Sequence, residues 1–266
     1  MKVISHDLIN DFGLPKSCND IIILPFSDWH DDDPNCNQAF VEAEVKAALS
    51  ARNTFVIVHG DIVNFAFKNS CSNSYQNRKT PQESLEWAIE TLRPLKEKIL
   101  VLEDGNHEDR LWKECGIHAG RFIANELGIK ERYAQDGALV FVTFGEQSSK
   151  RHNRPMTYSI YTIHGAGGGR KAGGKVNRLT ELMLTVDADI YIQGHTHLPF
   201  QTAYGFYRAN LNNRSARFVN KLFVNSSAAL NYGGYGEKLG FQPSALAHVE
   251  IRLDGSKRRM KATLEV

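Results

Sequence analysis

Five apolar runs in this 266-residue chain stop abruptly at residues that ligate metals or move protons. They end in SDWH (27–30), HGDIVN (59–64), EDGNHED (103–109), TIHG (162–165) and QGHTH (193–197). Asp28 and His30 stand two apart, so an extended segment would turn both toward one ion. Together the tips offer Asp28, His30, Asp61, Asn106, His164, His195 and His197, a set of nitrogen and oxygen donors with no thiolate. Imidazole mixed with carboxylate suits Mn, Fe, Zn or Ni, whereas calcium and magnesium favour all-oxygen sets. Seven donors are too many for one tetrahedral ion and fit two adjacent ions if one carboxylate is shared. Two such ions lower the pKa of a shared water and clamp the oxygens of an in-line phosphoryl displacement. His107 follows Asn106 and so points elsewhere, which suits a proton donor or a phosphate contact. A single histidine at such a place is more often a packing residue; five at the ends of apolar runs argue against packing alone.

The elements that must position these groups are short strands alternating with helices. Ile21 to Phe26 and Phe55 to Val58 are continuous apolar runs, as in strands covered on both faces. Between them Phe40, Val45, Ala48 and Leu49 fall at helical spacing, giving a βαβ unit. Thr80-Pro81-Gln82-Glu83 opens a helix with an N-cap Thr, Pro at the first position and Glu three after the cap. Leu85, Ala88, Ile89, Leu92 and Leu95 form its inner stripe, with Trp87 beside it as a core residue. Ile99 to Leu102 is a third strand, followed by helix over about 109–127 with Leu111, Phe122, Ile123 and Leu127 as apolar contacts. Strands are expected again at 138–144, 156–163 and 190–192, with a helix over 175–186. The chain from residue 200 onward reads as mostly β: 200–209, 217–225, 245–253 and 259–265, the last two joined by a turn at Asp254-Gly255. Ligands of open α/β sheets collect at the carboxyl ends of the strands, where all five blocks fall. Residues 1–20 read as a short element or an arm before a single domain over 1–266, and Asp31-Asp32-Asp33 as a solvated loop.

Composition narrows the class. Apolar content of 42% and charged content of 23% are those of an ordinary globule, and a net charge of +2 leaves no gross nucleic-acid footprint. Cys18, Cys36, Cys71 and Cys115 are widely spaced, without a CxxC pair, and read as reduced thiols. The polar N-terminus and the lack of a long apolar run point to a cytoplasmic protein with no membrane span.

In the order DWH, GDIVN, GNHE, IHG, GHTH, the chain resembles the calcineurin-like metallophosphoesterase superfamily, in particular its compact bacterial and phage-type members. The resemblance covers residues 28–197 and implies a four-layer αββα sandwich of two mixed β-sheets flanked by helices. It implies one ion on Asp28, His30 and His197, a second on Asn106, His164 and His195, and Asp61 bridging them, with Mn the first choice. A bridging hydroxide would attack phosphorus, and His107 would protonate the leaving group or steady the transition state. Asn64 departs from the pattern, which has Asp there, at a supporting position.

The implied substrate is a phosphoester, with nucleotides or nucleic acid ranked first. A serine/threonine-type protein phosphatase and a non-catalytic metal-binding module are the alternatives. Residues 147–180 contain Lys150, Arg151, Arg154, Arg170, Lys171, Lys175 and Arg178 and no acid, so a polyanion would approach from that side. Arg110, Arg170, Lys171 and Lys175 are the substrate-binding candidates. Tyr75 and Arg78 in the loop 65–79, and Tyr232 and Tyr235, are candidates for contacting a base. The glycine-rich run after His164 is not a P-loop, because Lys175 is followed by Val176.

Overall fold

The computed structural model describes residues 1–70, 73–145, 155–167 and 169–266, the Tyr235 side chain excepted. Its strands and helices run Lys2–Asp7 (β1), Asp20–Phe26 (β2), Gln38–Leu49 (α1), Thr54–His59 (β3), Pro81–Leu92 (α2), Ile99–Glu103 (β4), Glu108–Cys115 (α3), Ala119–Leu127 (α4), Tyr133–Ala134 (β5), Ala138–Thr143 (β6) and Thr157–Ile163 (β7). There follow Ala172–Glu181 (α5), Ile190–Gln193 (β8), Phe200–Asn210 (β9), Ser215–Asn225 (β10), Gly234–Lys238 (α6), His248–Asp254 (β11) and Arg259–Glu265 (β12).

The strands form two mixed sheets, ordered β1-β6-β7-β8-β10-β9 and β12-β11-β2-β3-β4-β5. In the second sheet β2, β3 and β4 are parallel neighbours, and in the first β7 and β8 are parallel neighbours. Those five strands are the ones that precede the five polar blocks, so parallel pairing by itself brings the blocks of each sheet to one edge. The layers are held by three apolar clusters. One lies between the sheets, with Ile23, Phe55, Ile57, Val140, Ile160 and Ile192. A second packs α1, α2 and α4 on the other face of β2–β4 through Val41, Ala48, Leu85, Leu92 and Ile123. The third sets Leu179 of α5 against Tyr161, Tyr191 and Phe223. This is the αββα sandwich that the resemblance implies.

Local chemistry decides where the helices begin. Asn37 caps α1 by accepting the Phe40 N–H at 3.0 Å, and Thr80 and Glu83 form a reciprocal capping box on α2. The mainly helical segment expected around 109–127 comprises two helices, because Gly116 ends α3 in the left-handed region at φ 73°. The new helix direction leaves Phe122 39% exposed, contrary to the contact expected of it. Lys2–Asp7, from the polar stretch that opens the chain, pairs in parallel with β6 as an edge strand. Asp31 and Asp32 are not solvated. Asp31 is buried against Lys79 Nζ at 2.6 Å, and Asp32 accepts the backbone N–H groups of Asn64 (2.6 Å) and Phe65 (3.2 Å). The β9–β10 pair outgrows its sheet: only Leu222–Asn225 meet β8, and the rest is a two-stranded ribbon.

Candidate metal centre

The seven donors read from the sequence converge at the carboxyl ends of β2, β3, β4, β7 and β8. Three triads have their ligand atoms within 4.8 Å of one another: Asp28, His30 and His197; His30, Asp61 and His107; Asp61, His164 and His195. Asn106 Oδ1 lies 3.1 Å from His164 Nε2 and 2.7 Å from His195 Nδ1, which adds an amide oxygen to the third group. His107, expected to point away, instead has Nε2 3.6 Å from Asp61 Oδ2 and stands edge-on to His30 with ring centroids 4.3 Å apart.

The backbone achieves this convergence by local strain. Asp28, His30, Asp61, His195 and His197 all have φ between 50° and 61°. Among the described non-glycine residues only Phe65 and Arg214 share that left-handed region. The segment Asp28–His30 is therefore not extended, and the two side chains meet through successive sharp turns rather than strand alternation. Each such residue costs on the order of 1–3 kcal/mol and persists only where surroundings over-determine it. Here those surroundings include glycines: a Cβ on Gly105 would overlap Asp61 Oδ1, and one on Gly194 would crowd Asp28 Oδ2 at 2.7 Å.

Hydrogen bonds from outside the triads aim the rings. His164 Nδ1 pairs with the His59 carbonyl at 2.9 Å, turning Nε2 inward, and His107 Nδ1 pairs with the Asn64 carbonyl at 2.9 Å. Asp28 Oδ2 accepts from Ser27 Oγ and from the His195 N–H, the latter at 2.9 Å. Asp28 Oδ1 is buried with no hydrogen bond and sits 3.1 Å from His197 Nε2. Asn64, at the position where Asp was expected, is buried; its carbonyl takes both His107 Nδ1 and Arg110 at 2.7 Å.

Glu108 escaped the sequence reading. It is buried and accepts the N–H groups of Asp61 (2.8 Å), Ile62 (2.9 Å) and Gly105 (2.8 Å), so it clamps the β3 end to the β4 end. Its available signal was an acid opening a helix directly after GNH. Burial, and behind it the Asp61 and Asp104 carboxylates, push the Glu108 carboxyl up to about 8.

The electrostatics are those of a cation site. Burial opposes ionisation of Asp28 and Asp61, yet the neighbouring imidazoles outweigh it and hold both carboxyls below the usual range. Burial keeps His30 and His195 below the ordinary imidazole value and brings His107 down to about 4. His164 is the exception: burial is overridden by the Asp61 carboxylate at 3.2 Å, and the ring is pushed up to about 10. Imidazole nitrogens face one another at 3.2 Å (His30 and His197) and 3.3 Å (His30 and His107). Two buried carboxylates, imidazole nitrogens gathered at these distances and an Asp28 Oδ1 without a hydrogen bond fit divalent metal ions. The two outer triads, joined through His30 and Asp61, make it a two-ion site.

The expected basic approach is only partly drawn. Lys150, Arg151 and Arg154 lie outside the described residues, as does the Tyr235 side chain. Lys175 donates to the Thr196 carbonyl at 2.7 Å, between His195 and His197. Arg170 donates to the Leu239 carbonyl at 2.8 Å, and Lys171 is exposed at the N-cap of α5. Arg110 donates to His107 Nε2 at 2.9 Å, which places a fixed positive charge on the rim of the centre. Tyr75 is 87% exposed, and Arg78 donates to the Pro34 carbonyl.

With this geometry in view, residues 21–199 match the calcineurin-like phosphoesterases, and the chain belongs to that family. Similar solved structures include a conserved uncharacterized protein from Streptococcus pneumoniae, at 13% identity and TM-score 0.39, covering 94% of this chain and 100% of that one. Wild-type Vps29 complexed with zinc from Entamoeba histolytica has 13% identity and TM-score 0.39, covering 92% and 98%. GAP50, the anchor in the inner membrane complex of Plasmodium, has 10% identity and TM-score 0.41, covering 92% and 84%. No curated protein matches the chain. No helix among the described residues is long and apolar enough to cross a membrane.

Proposed function

We propose that the chain is a binuclear-metal-dependent phosphoesterase acting on nucleotides or nucleic acid. The observation that carries this is the joining of two buried ligand groups through Asp61, with Arg110 and His107 on one rim. In this reading Asp28, His30 and His197 would hold one ion, Asn106, His164 and His195 would hold the other, and Asp61 would be shared between them. When bound, two divalent ions supply a water of lowered pKa and neutralise charge on a phosphoryl group. The chain's own residues do the rest. Arg110 orients an incoming phosphate oxygen, and its bond to His107 Nε2 must yield when substrate arrives. Once Arg110 has moved off, His107 Nε2 takes up a proton from solvent and passes it to the leaving oxygen, while the Asn64 carbonyl holds the Nδ1–H. Manganese is our first choice of metal, and a cytoplasmic setting and a compact bacterial or phage-type relationship accompany the reading.

The test is hydrolysis by manganese-loaded protein of p-nitrophenyl phosphate, bis-p-nitrophenyl phosphate, a nucleotide panel, oligonucleotides and a phosphopeptide. Preference for nucleotides or oligonucleotides supports the proposal. Faster turnover of the phosphopeptide moves the chain to the protein phosphatases. Inactivity on every substrate, with both ions bound, leaves a metal-binding module.

A further inference from the structure

β9 is an edge strand of 11 residues, and among the described residues its backbone bonds to no strand but β10. The other three sheet edges are blunted. β5 has 2 residues, β1 carries Lys2 and Asp7, and β12 carries Arg259, Lys261 and Glu265. Phe200–Asn210 contains no proline or acid and pairs with β10 without a break in register. Its single cation, Arg208, is held by Asp187 at 2.6 Å. Folded proteins guard their edges with lysine, proline, bulges or brevity, because an open edge is a template for another strand.

The side chains of the ribbon are uncovered as well. Tyr204, Phe206, Tyr207 and Phe218 are 46%, 39%, 72% and 57% exposed. Alternation puts Tyr204 and Phe206 on one face. Ala203, Gly205, Tyr207 and Ala209, with Ala216 and Phe218 from β10, make the other face, and none of them is charged. Phe218 lies over Gly205, where a Cβ would overlap its ring, and stands edge-on to Tyr207 with centroids 5.3 Å apart. A two-stranded ribbon is marginally stable in water, and further strands make it durable.

We infer that β9 is a dimerisation edge, pairing in antiparallel with β9 of a second copy across a two-fold axis at Gly205. The strand is complementary to itself in that register. Tyr204 falls opposite the partner's Phe206, Ala203 opposite the partner's Tyr207, and Thr202 opposite the partner's Arg208. Aromatic meets aromatic, small meets large and no like charges are opposed, which is what stabilises cross-strand pairs. A contact of one patch with itself closes at two copies. An uncharged aromatic face lacks the cations with which single-stranded nucleic acid is held, so a second copy fits it better.

Sedimentation equilibrium of the full chain at micromolar concentrations is the test. The wild type should form a dimer, and a monomer throughout overturns the inference. A monomer that is shifted only by added octathymidylate gives the ribbon to nucleic acid and overturns it too. Two double variants read the register. Ala203→Glu with Tyr207→Glu sets like charges opposite one another across the axis, whereas Ala203→Lys with Tyr207→Glu sets opposite charges there. The first should dimerise about tenfold more weakly than the second. Equal Kd values overturn the inference, since both variants lose the same ring and differ only in what the partner strand meets. Hydrogen exchange on the wild type gives a reading without substitution. The outward amides of residues 201–209 should gain protection as protein concentration rises, and unchanged protection overturns the pairing.

Discussion

Glu108 Oε2 accepts the backbone N–H of Asp61 at 2.8 Å, so the carboxylate shared between the two ligand groups is anchored by a side chain 47 residues further along the chain. The same oxygen accepts the Gly105 N–H, and the other carboxylate oxygen takes Ile62. One acid thus fixes the relative height of two strand ends. Glu108→Ala should leave three buried N–H groups unsatisfied, each costing about 1–3 kcal/mol. A stability loss of at least about 3 kcal/mol in urea unfolding, with weaker metal retention, is expected. Glu108→Gln keeps the volume and one acceptor oxygen and should cost less; a loss as large as that of Glu108→Ala would show that both carboxylate oxygens are needed, and no loss in either variant would refute the clamp.

Metal content is the simplest check on the ligand assignment. Manganese-saturated protein should carry two ions per chain by elemental analysis, and anomalous scattering should place them on either side of Asp61. His197→Ala should weaken one ion and His164→Ala the other. One ion at full occupancy in the wild type would remove the binuclear reading.

His107→Asn should keep both ions yet slow hydrolysis of esters with poor leaving groups by roughly 10²–10⁴-fold, the range for a lost general acid. p-Nitrophenolate leaves with little help, so the loss there should be smaller. An equal loss on all esters would make His107 a phosphate contact. Loss of an ion would place it among the ligands, as its 3.6 Å approach to Asp61 allows.

Gly105→Ala should harm the centre without touching a donor. The added methyl falls on Asp61 Oδ1 and on the Asp61 backbone nitrogen, neither of which can move freely. Lower metal occupancy together with a lower Tm is expected, and a variant with full occupancy and wild-type Tm would contradict the packing described.

His248 offers a pH effect remote from the metal centre. Its Nδ1 lies 2.9 Å from Glu44 Oε1, and this hydrogen bond raises the imidazole above its ordinary value despite burial. A raised folded pKa means that protonation favours the folded state. The contribution is full below the unfolded value near 6.5 and fades as pH climbs through the raised folded value. The Tm difference between wild type and His248→Gln should therefore be largest at acid pH and shrink toward alkaline pH. A difference that grows with pH would refute the pairing.

What could be read ahead of the structure was governed by distance along the chain. The capping box at Thr80 and Glu83 and the strand ending at Phe26 depend on near neighbours, and both stand where the sequence put them. Asp31 and Asp32 looked like a solvated run because their partners are remote: Lys79 is 48 residues on, and the Asn64 N–H 32. The left-handed turns at Asp28 and His30 have no compositional signature, since neither residue is glycine. Glu108 was hidden for a related reason, because what it binds is backbone and backbone is the same everywhere. The candidate donors were legible because imidazoles and carboxylates at the ends of apolar runs need a common purpose, and parallel strands give them a common edge.

The long-range pairing of His30 with His197 also says something about how the chain reaches its final form. These rings are 167 residues apart in sequence, and Asn106 and His164 are separated by 58. Closing such loops is entropically costly, and topologies dominated by distant contacts form slowly. Asp28, His30 and Asp61 follow strands of one sheet, whereas His164, His195 and His197 follow strands of the other. A chain still being synthesised can present the first set long before the second exists. Ion capture at full strength must then come late, after the sheets have stacked, making it a seal on completed folding and not its nucleus.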